Sequence, residues 1–266
     1  MRGIVCEKLR NDARFTMKAI FLLVLSLGSV FAMVPNAYSA AQTQTFPTSA
    51  GEVKITPLYH ASTLIEAGGS VIYVDPAKPA KLSGLPKADL ILITDIHGDH
   101  MDPDSIKEIS KAGTVIISSP AVAQTVTTAT PIANGEAKTW QTWSIEAIPD
   151  YNIKRGPAPG KLFHDKGRGN GYVHTYGGKR FYFSGDTEGI PEMRALKNID
   201  VAFVCMNLPY TMPPEEAADA VKAFHPKVHP VSLSRIRSHV ISKSLARHRH
   251  RSPPLELVSQ PGVTNE

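Results

Sequence analysis

The stretch Leu90-Ile91-Leu92-Ile93-Thr94-Asp95-Ile96-His97-Gly98-Asp99-His100 joins a wholly apolar run to a loop that holds four potential metal ligands within six residues. A short continuous apolar run reads as a strand buried on both faces, so the polar loop lies at a strand end. His nitrogens and carboxylate oxygens at alternating loop positions can converge on one or two divalent cations without any thiolate. The spacing, with Gly98 to let the loop bend, suits two adjacent ions, one served by the first positions and the other by Asp99 and His100. Two metals bring hydrolytic chemistry within reach. Any one of these residues alone would read as an ordinary polar residue after a strand; it is the four together that carry the metal reading.

Outward from this stretch, the chain reads as short strands separated by Gly/Pro turns. Strands are expected at 53–58, 62–65, 71–74, 90–93 and 115–117, then at 144–148, 172–176 and 180–184, the last two joined by Gly177-Gly178 as a hairpin. Helices are expected at 103–110, 121–126 and 213–223, the last with Glu215 and Glu216 where the helix dipole favours acids. The strands and helices fall into two similar halves, an α/β pattern. Cys205 lies in the apolar run 201–205 and reads as a buried core thiol rather than a nucleophile.

The two ends differ from the middle. Met17-Lys18 is followed by an apolar stretch from Ala19 to Val34 and then by the small residues of Asn36-Ala37-Tyr38-Ser39-Ala40. This reads as a secretory signal peptide with an N-terminal extension over 1–40, and predicts an exported, periplasmic protein without a stable membrane anchor. The pI near 9.1 comes from the ends. Residues 41–228 hold 18 basic and 20 acidic side chains, so nothing in the central domain argues for nucleic acid as a partner. Its expected partner is a small-molecule substrate.

The ordered phrases His60-Ala61-Ser62-Thr63-Leu64-Ile65, Tyr73-Val74-Asp75-Pro76, the loop after Ile93, and Ser184-Gly185-Asp186-Thr187 resemble the metallo-β-lactamase superfamily over about residues 53–228, and within it the ascorbate-6-phosphate-lactonase-like branch. The resemblance implies a four-layer αβ/βα sandwich with a dinuclear metal site along one edge of the sheets. By the resemblance, His97 matches a ligand of the first metal, Asp99 and His100 match ligands of the second, and Asp186 matches the carboxylate that bridges both. A further ligand is implied in the loop ahead of Gly171-Tyr172, where His164 fits; His174, inside the hairpin strand, reads as a plain strand side chain. His60 is expected near the site, in a supporting position or as an ordinary strand-end histidine. Lys154, Arg155, Lys161 and Arg168 either meet an anionic substrate or form a solvated loop face.

Two departures from the family pattern stand out. Asp95 occupies the place where the motif begins with His. As a ligand it moves the preference from zinc toward harder ions such as manganese or iron; the expected cofactors are two divalent ions, zinc first, with manganese or iron as alternatives. The second departure follows Pro226-Lys227-Val228, where the family has a phrase like Pro-Tyr-His-Tyr whose His completes the second site. One permitted encoding of the octapeptide from His229 to Ile236 becomes His-Pro-Tyr-His-Tyr-Arg-Gly on deletion of a single C. Residues 229–266 are therefore read as a basic tail from a shifted frame, with a native tail for an anionic surface as the alternative. The expected function is hydrolysis of an ester, lactone or phosphodiester by a metal-activated hydroxide that Asp99 orients, impaired by loss of the last His. A non-catalytic exported binding protein, or a decayed remnant of the fold, is the competing reading.

Overall fold

The computed structural model describes residues 43–228; the expectations for the signal segment and for the basic tail lie outside them. Among the described residues, twelve strands form two sheets. The first orders β1 (Gln44–Thr48), β2 (Gly51–Tyr59), β3 (Ser62–Ala67), β4 (Ser70–Val74), β5 (Leu90–Ile93), β6 (Val115–Ser118) and β7 (Thr130–Pro131). The second orders β12 (Val201–Phe203), β11 (Lys179–Phe183), β10 (Gly169–Tyr176), β9 (Trp143–Asp150) and β8 (Ala137–Trp140). Hairpin neighbours pair antiparallel, whereas β4 to β7 run parallel, as does β12 beside β11.

Strand period explains the layering. Ile72, Val74, Leu90 and Leu92 point inward and meet Trp143, Ile145, Tyr172, Phe181, Phe183 and Phe203 of the other sheet in one core. The alternate residues Tyr73, Ile91 and Ile93 point outward onto the helical segments α1 (Pro103–Ile109) and α2 (Pro120–Ala123) through Ile106, Ile109 and Val122. On the far face, Val173, Tyr182 and Ala202 meet Met193 of α3 (Pro191–Arg194) and Ala217, Val221 and Phe224 of α4 (Pro214–Phe224). The result is the expected four-layer αβ/βα sandwich, and β5 is apolar on both faces because it is covered on both. The edge strands β1 and β8 and the short α3 were not legible from apolar pattern, since β8 alternates half-buried with exposed residues and β1 buries a single Phe46.

Parallel strands end on the same side, and the loops that leave them converge there. The exits of β4, β5, β9 and β11 thus bring Asp75, the 94–100 loop, the loop after Asp150 and Asp186 to one edge of the sandwich. The turn between β2 and β3 adds His60.

Candidate metal centre

Two groups of donors face each other at that edge. Asp95, His97 and His164 offer ligand atoms within 4.8 Å of one another, and so do His60, Asp99 and His100. Asp186 stands between the groups: its Oδ2 lies 3.2 Å from His164 Nε2 and 3.4 Å from His100 Nε2. The structure brings together every residue singled out in the sequence as a ligand. His174 is instead buried in the core against Trp143, Tyr172 and Phe183, as a plain strand side chain.

The supporting contacts set the imidazole tautomers. Asp75 follows β4 in a left-handed conformation, φ 47°, and accepts from the Thr94 amide at 2.7 Å and the Thr94 hydroxyl at 2.6 Å. It also accepts from His100 Nδ1 at 2.9 Å, which turns the Nε2 edge of the ring toward the centre. That Nε2 is buried without a hydrogen-bond partner, which is how a nitrogen prepared for a metal looks. His164 is held the same way. Asn152 turns its amide nitrogen to the Tyr210 carbonyl at 2.8 Å, and its Oδ1 accepts from His164 N at 2.8 Å and Nδ1 at 2.6 Å. Orientation of both rings by a hydrogen-bond acceptor is what a divalent cation requires, so the residues fit the metal that the sequence implies.

Burial differs across the centre. Asp95, His100, His164 and Asp186 are buried, whereas the side chains of His97 and Asp99 are 45% and 50% exposed, which leaves that side open to a substrate. Burial opposes a charge on His100, but Asp186 and Asp75 outweigh it and hold the imidazole well above its usual value. Asp186 goes well below the carboxylate range: His100 and His164 overcome its desolvation. The hydrogen bond from His60 is the main cause that brings Asp99 down to about 2. Beneath the centre, burial first and then Asp95 and Asp186 push Asp150 well above the usual carboxylate range, toward a neutral acid. Gly185, at φ 62°, is required there, because a Cβ would run into Asp150 Oδ2.

The basic loop residues are mostly committed to carboxylates. Arg155 makes two 2.8 Å bonds to Glu216 and lies 3.2 Å from Glu188, Lys154 reaches Glu216 at 2.9 Å, and Arg168 Nη2 sits 2.7 Å from Asp95 Oδ2. Lys154 and Lys161 are exposed, as on a solvated loop face, whereas Arg155 and Arg168 are partly buried against their carboxylates. The Asp95 and Arg168 pair carries no net charge, like the neutral histidine that opens the family motif. Gly98 needs correction: its φ is not left-handed and a Cβ would meet nothing, so the loop turns without a glycine. Asp75, Asn152 and Asp150 were missed as site residues. Only Asp75 carried a local signal, an Asp-Pro directly after an apolar strand.

The profile of the Beta-lactamase superfamily domain matches residues 54–230. The chain belongs to that superfamily. It is 38% identical to a Parabacteroides distasonis protein assigned as a metal-dependent hydrolase, with 76% of this chain and 91% of that one covered at a TM-score of 0.71. A UPF0173 metal-dependent hydrolase of Thermococcus kodakarensis is 30% identical over 66% of this chain and 81% of its own length. The diiron β-hydroxylase CmlA of Streptomyces venezuelae shares the fold at 17% identity and a TM-score of 0.54, over 73% of this chain and 50% of that one. The chain is thus a metal-dependent hydrolase by family, with His and Asp groups placed to hold metal.

Proposed function

We propose that this protein hydrolyses an ester, lactone or phosphodiester of a small molecule with two divalent cations, zinc first and manganese or iron as alternatives. The observation that carries the reading is Asp186, which is within 3.4 Å of a nitrogen from each donor group. Asp95, His97 and His164 would hold one cation, Asp99 and His100 the other, and Asp186 both. Two cations held there would supply Lewis acidity toward a water and a substrate oxygen. Asp99, on the open side, would accept a hydrogen bond from the attacking water and orient it. Ile153, Leu208 and Tyr210 are exposed apolar side chains on the two loops that Asn152 ties together. This rim favours an uncharged ester or lactone over a phosphodiester, in keeping with the lactonase-like resemblance. Elemental analysis of the purified chain, beside rates on p-nitrophenyl butyrate, a γ-lactone and bis(p-nitrophenyl) phosphate, tests this. Two equivalents with turnover of the first two substrates is the expected result; no metal and no turnover would leave the remnant reading in its place.

We also propose export to the periplasm after removal of residues 1–40, checked by N-terminal sequencing of the protein from a periplasmic extract, and a frame shift near codon 230. The frame shift has support from register. Val228 bridges Val201 in parallel, so a strand prolonged four residues in that register ends level with Cys205, which lines a cavity beside His100 and Asp186. In the restored frame the fourth residue is the second His of His-Pro-Tyr-His-Tyr. The gene sequence decides the matter, because codons that cannot yield this phrase on loss of one base remove the explanation.

A further inference from the structure

Among the described residues, the ligands assigned above to the second donor group are Asp99, His100 and the shared Asp186, the three protein ligands that a catalytic zinc keeps beside its water, and zinc can expand to five-coordination to admit one more. Asp75, which also lines the adjoining cavity of about 20 Å³, is taken up by Thr94 and His100; a further imidazole, His60, and a thiol, Cys205, line it as well. Geometry sets Cys205 aside. Its Sγ donates to the Thr187 carbonyl at 3.2 Å and accepts from the Thr187 amide at 3.5 Å, and it stands outside the group of donor atoms within 4.8 Å of one another that His60, Asp99 and His100 form.

His60 meets the requirement by geometry. It tips the β2 to β3 turn at φ 50°, a left-handed conformation that a residue with a Cβ leaves unless its surroundings hold it. The turn is fastened one layer down, where Ser62 Oγ donates to the Asp75 carbonyl at 2.6 Å. His60 Nε2 thereby lies 3.0 Å from Asp99 Oδ2, and its ring stands edge-on to His100 with centroids 5.8 Å apart. The buried Nε2 of His100, 3.4 Å from Asp186 Oδ2, belongs to the same group of donors. We propose that His60 is a ligand of the second metal in this chain, adding its nitrogen to the donors of Asp99, His100 and Asp186. The inference rests on the dinuclear reading above.

The test is zinc titration of the purified chain against a competing chelator, with cobalt(II) spectra of the second equivalent, for the wild type, His60→Gly and His60→Asn. Glycine suits φ 50° and asparagine tolerates it, so both variants should melt in excess EDTA at or above the wild-type temperature. Asparagine also keeps a hydrogen-bond donor toward Asp99 while lacking an imidazole nitrogen. If His60 is a ligand, both variants bind the second zinc at least tenfold more weakly, keep the first, and change the cobalt band of the second. Two equivalents at wild-type strength in both variants would overturn the proposal and leave His60 as a support for Asp99. A wild-type chain that binds fewer than two equivalents overturns the dinuclear reading itself, before either variant is considered.

Discussion

Replacing His174 by Leu should stabilise the protein, and increasingly so as the pH falls. His174 lies on β10 with 1% of its surface exposed, both ring nitrogens lack a hydrogen-bond partner, and its ring stacks on Phe183 at 5.0 Å. A buried polar group without a partner destabilises by about 1–3 kcal/mol, and Leu has nearly the same volume, so overpacking is small. Burial also brings the imidazole down to about 3 from 6.5. Below pH 6.5 the unfolded chain then binds a proton that the folded chain refuses. The contribution of His174 to stability is therefore complete above pH 6.5 and is lost as the pH falls toward 3, at up to about 1.4 kcal/mol per pH unit. By pH 4.5 the gap between variant and wild type should widen by roughly 2–3 kcal/mol. Urea midpoints of both proteins between pH 7.5 and 4.5, in excess chelator so that metal release does not contribute, give the measurement. Parallel loss of stability in the two proteins would refute the reasoning, since it would mean that the imidazole has a partner in the fold.

Other perturbations act nearer the centre. Asn152→Ala removes the acceptor that sets the His164 tautomer, and Asp75→Ala does the same for His100; each should weaken metal binding about 10–100-fold, read by chelator competition. Arg168→Gln leaves the buried Asp95 without its counter-charge and should lower stability in excess chelator by about 3 kcal/mol. In Asp95→His the guanidinium loses its partner instead, so adding Arg168→Gln should restore stability; a double-mutant cycle in thermal melts shows whether the two changes couple. Arg155→Ala removes only the guanidinium contacts to Glu216 and Glu188, since the amides of residues 153–155 still hold Glu188 and Lys154 still holds Glu216, and a loss of about 1–3 kcal/mol is expected in urea denaturation.

The sandwich was legible because its central strands are apolar on both faces and its turns carry glycines. The hexapeptide was legible because its donors lie side by side in sequence. What escaped depends on contacts between distant segments. Asp75 acts on His100 from 25 residues away and Asn152 on His164 from 12, and neither spacing means anything until the strands are paired. Asp150 looks in sequence like any strand-end acid; its burial first, and then the approach of Asp95 and Asp186, give it an unusual charge state. The pairing of Arg155 was out of reach for the same reason, as Glu188 and Glu216 follow it by 33 and 61 residues.

That separation has a thermodynamic consequence. The first sheet's loops supply Asp95, His97, Asp99 and His100, whereas His164 and Asp186 come from the second sheet, so a cation bound to both sets ties the two halves together. A ligand that binds only the folded state stabilises by RT ln(1 + [L]/Kd), about 4 kcal/mol at a thousandfold excess over Kd. Excess zinc should raise the melting temperature accordingly. The two donor groups share Asp186 alone, so Asp186→Ala should abolish nearly the whole of that rise, whereas His97→Ala, which touches one group, should remove about the share of a single site. Equal loss in the two variants would mean that the centre holds one ion, and that Asp186 is a ligand rather than a bridge.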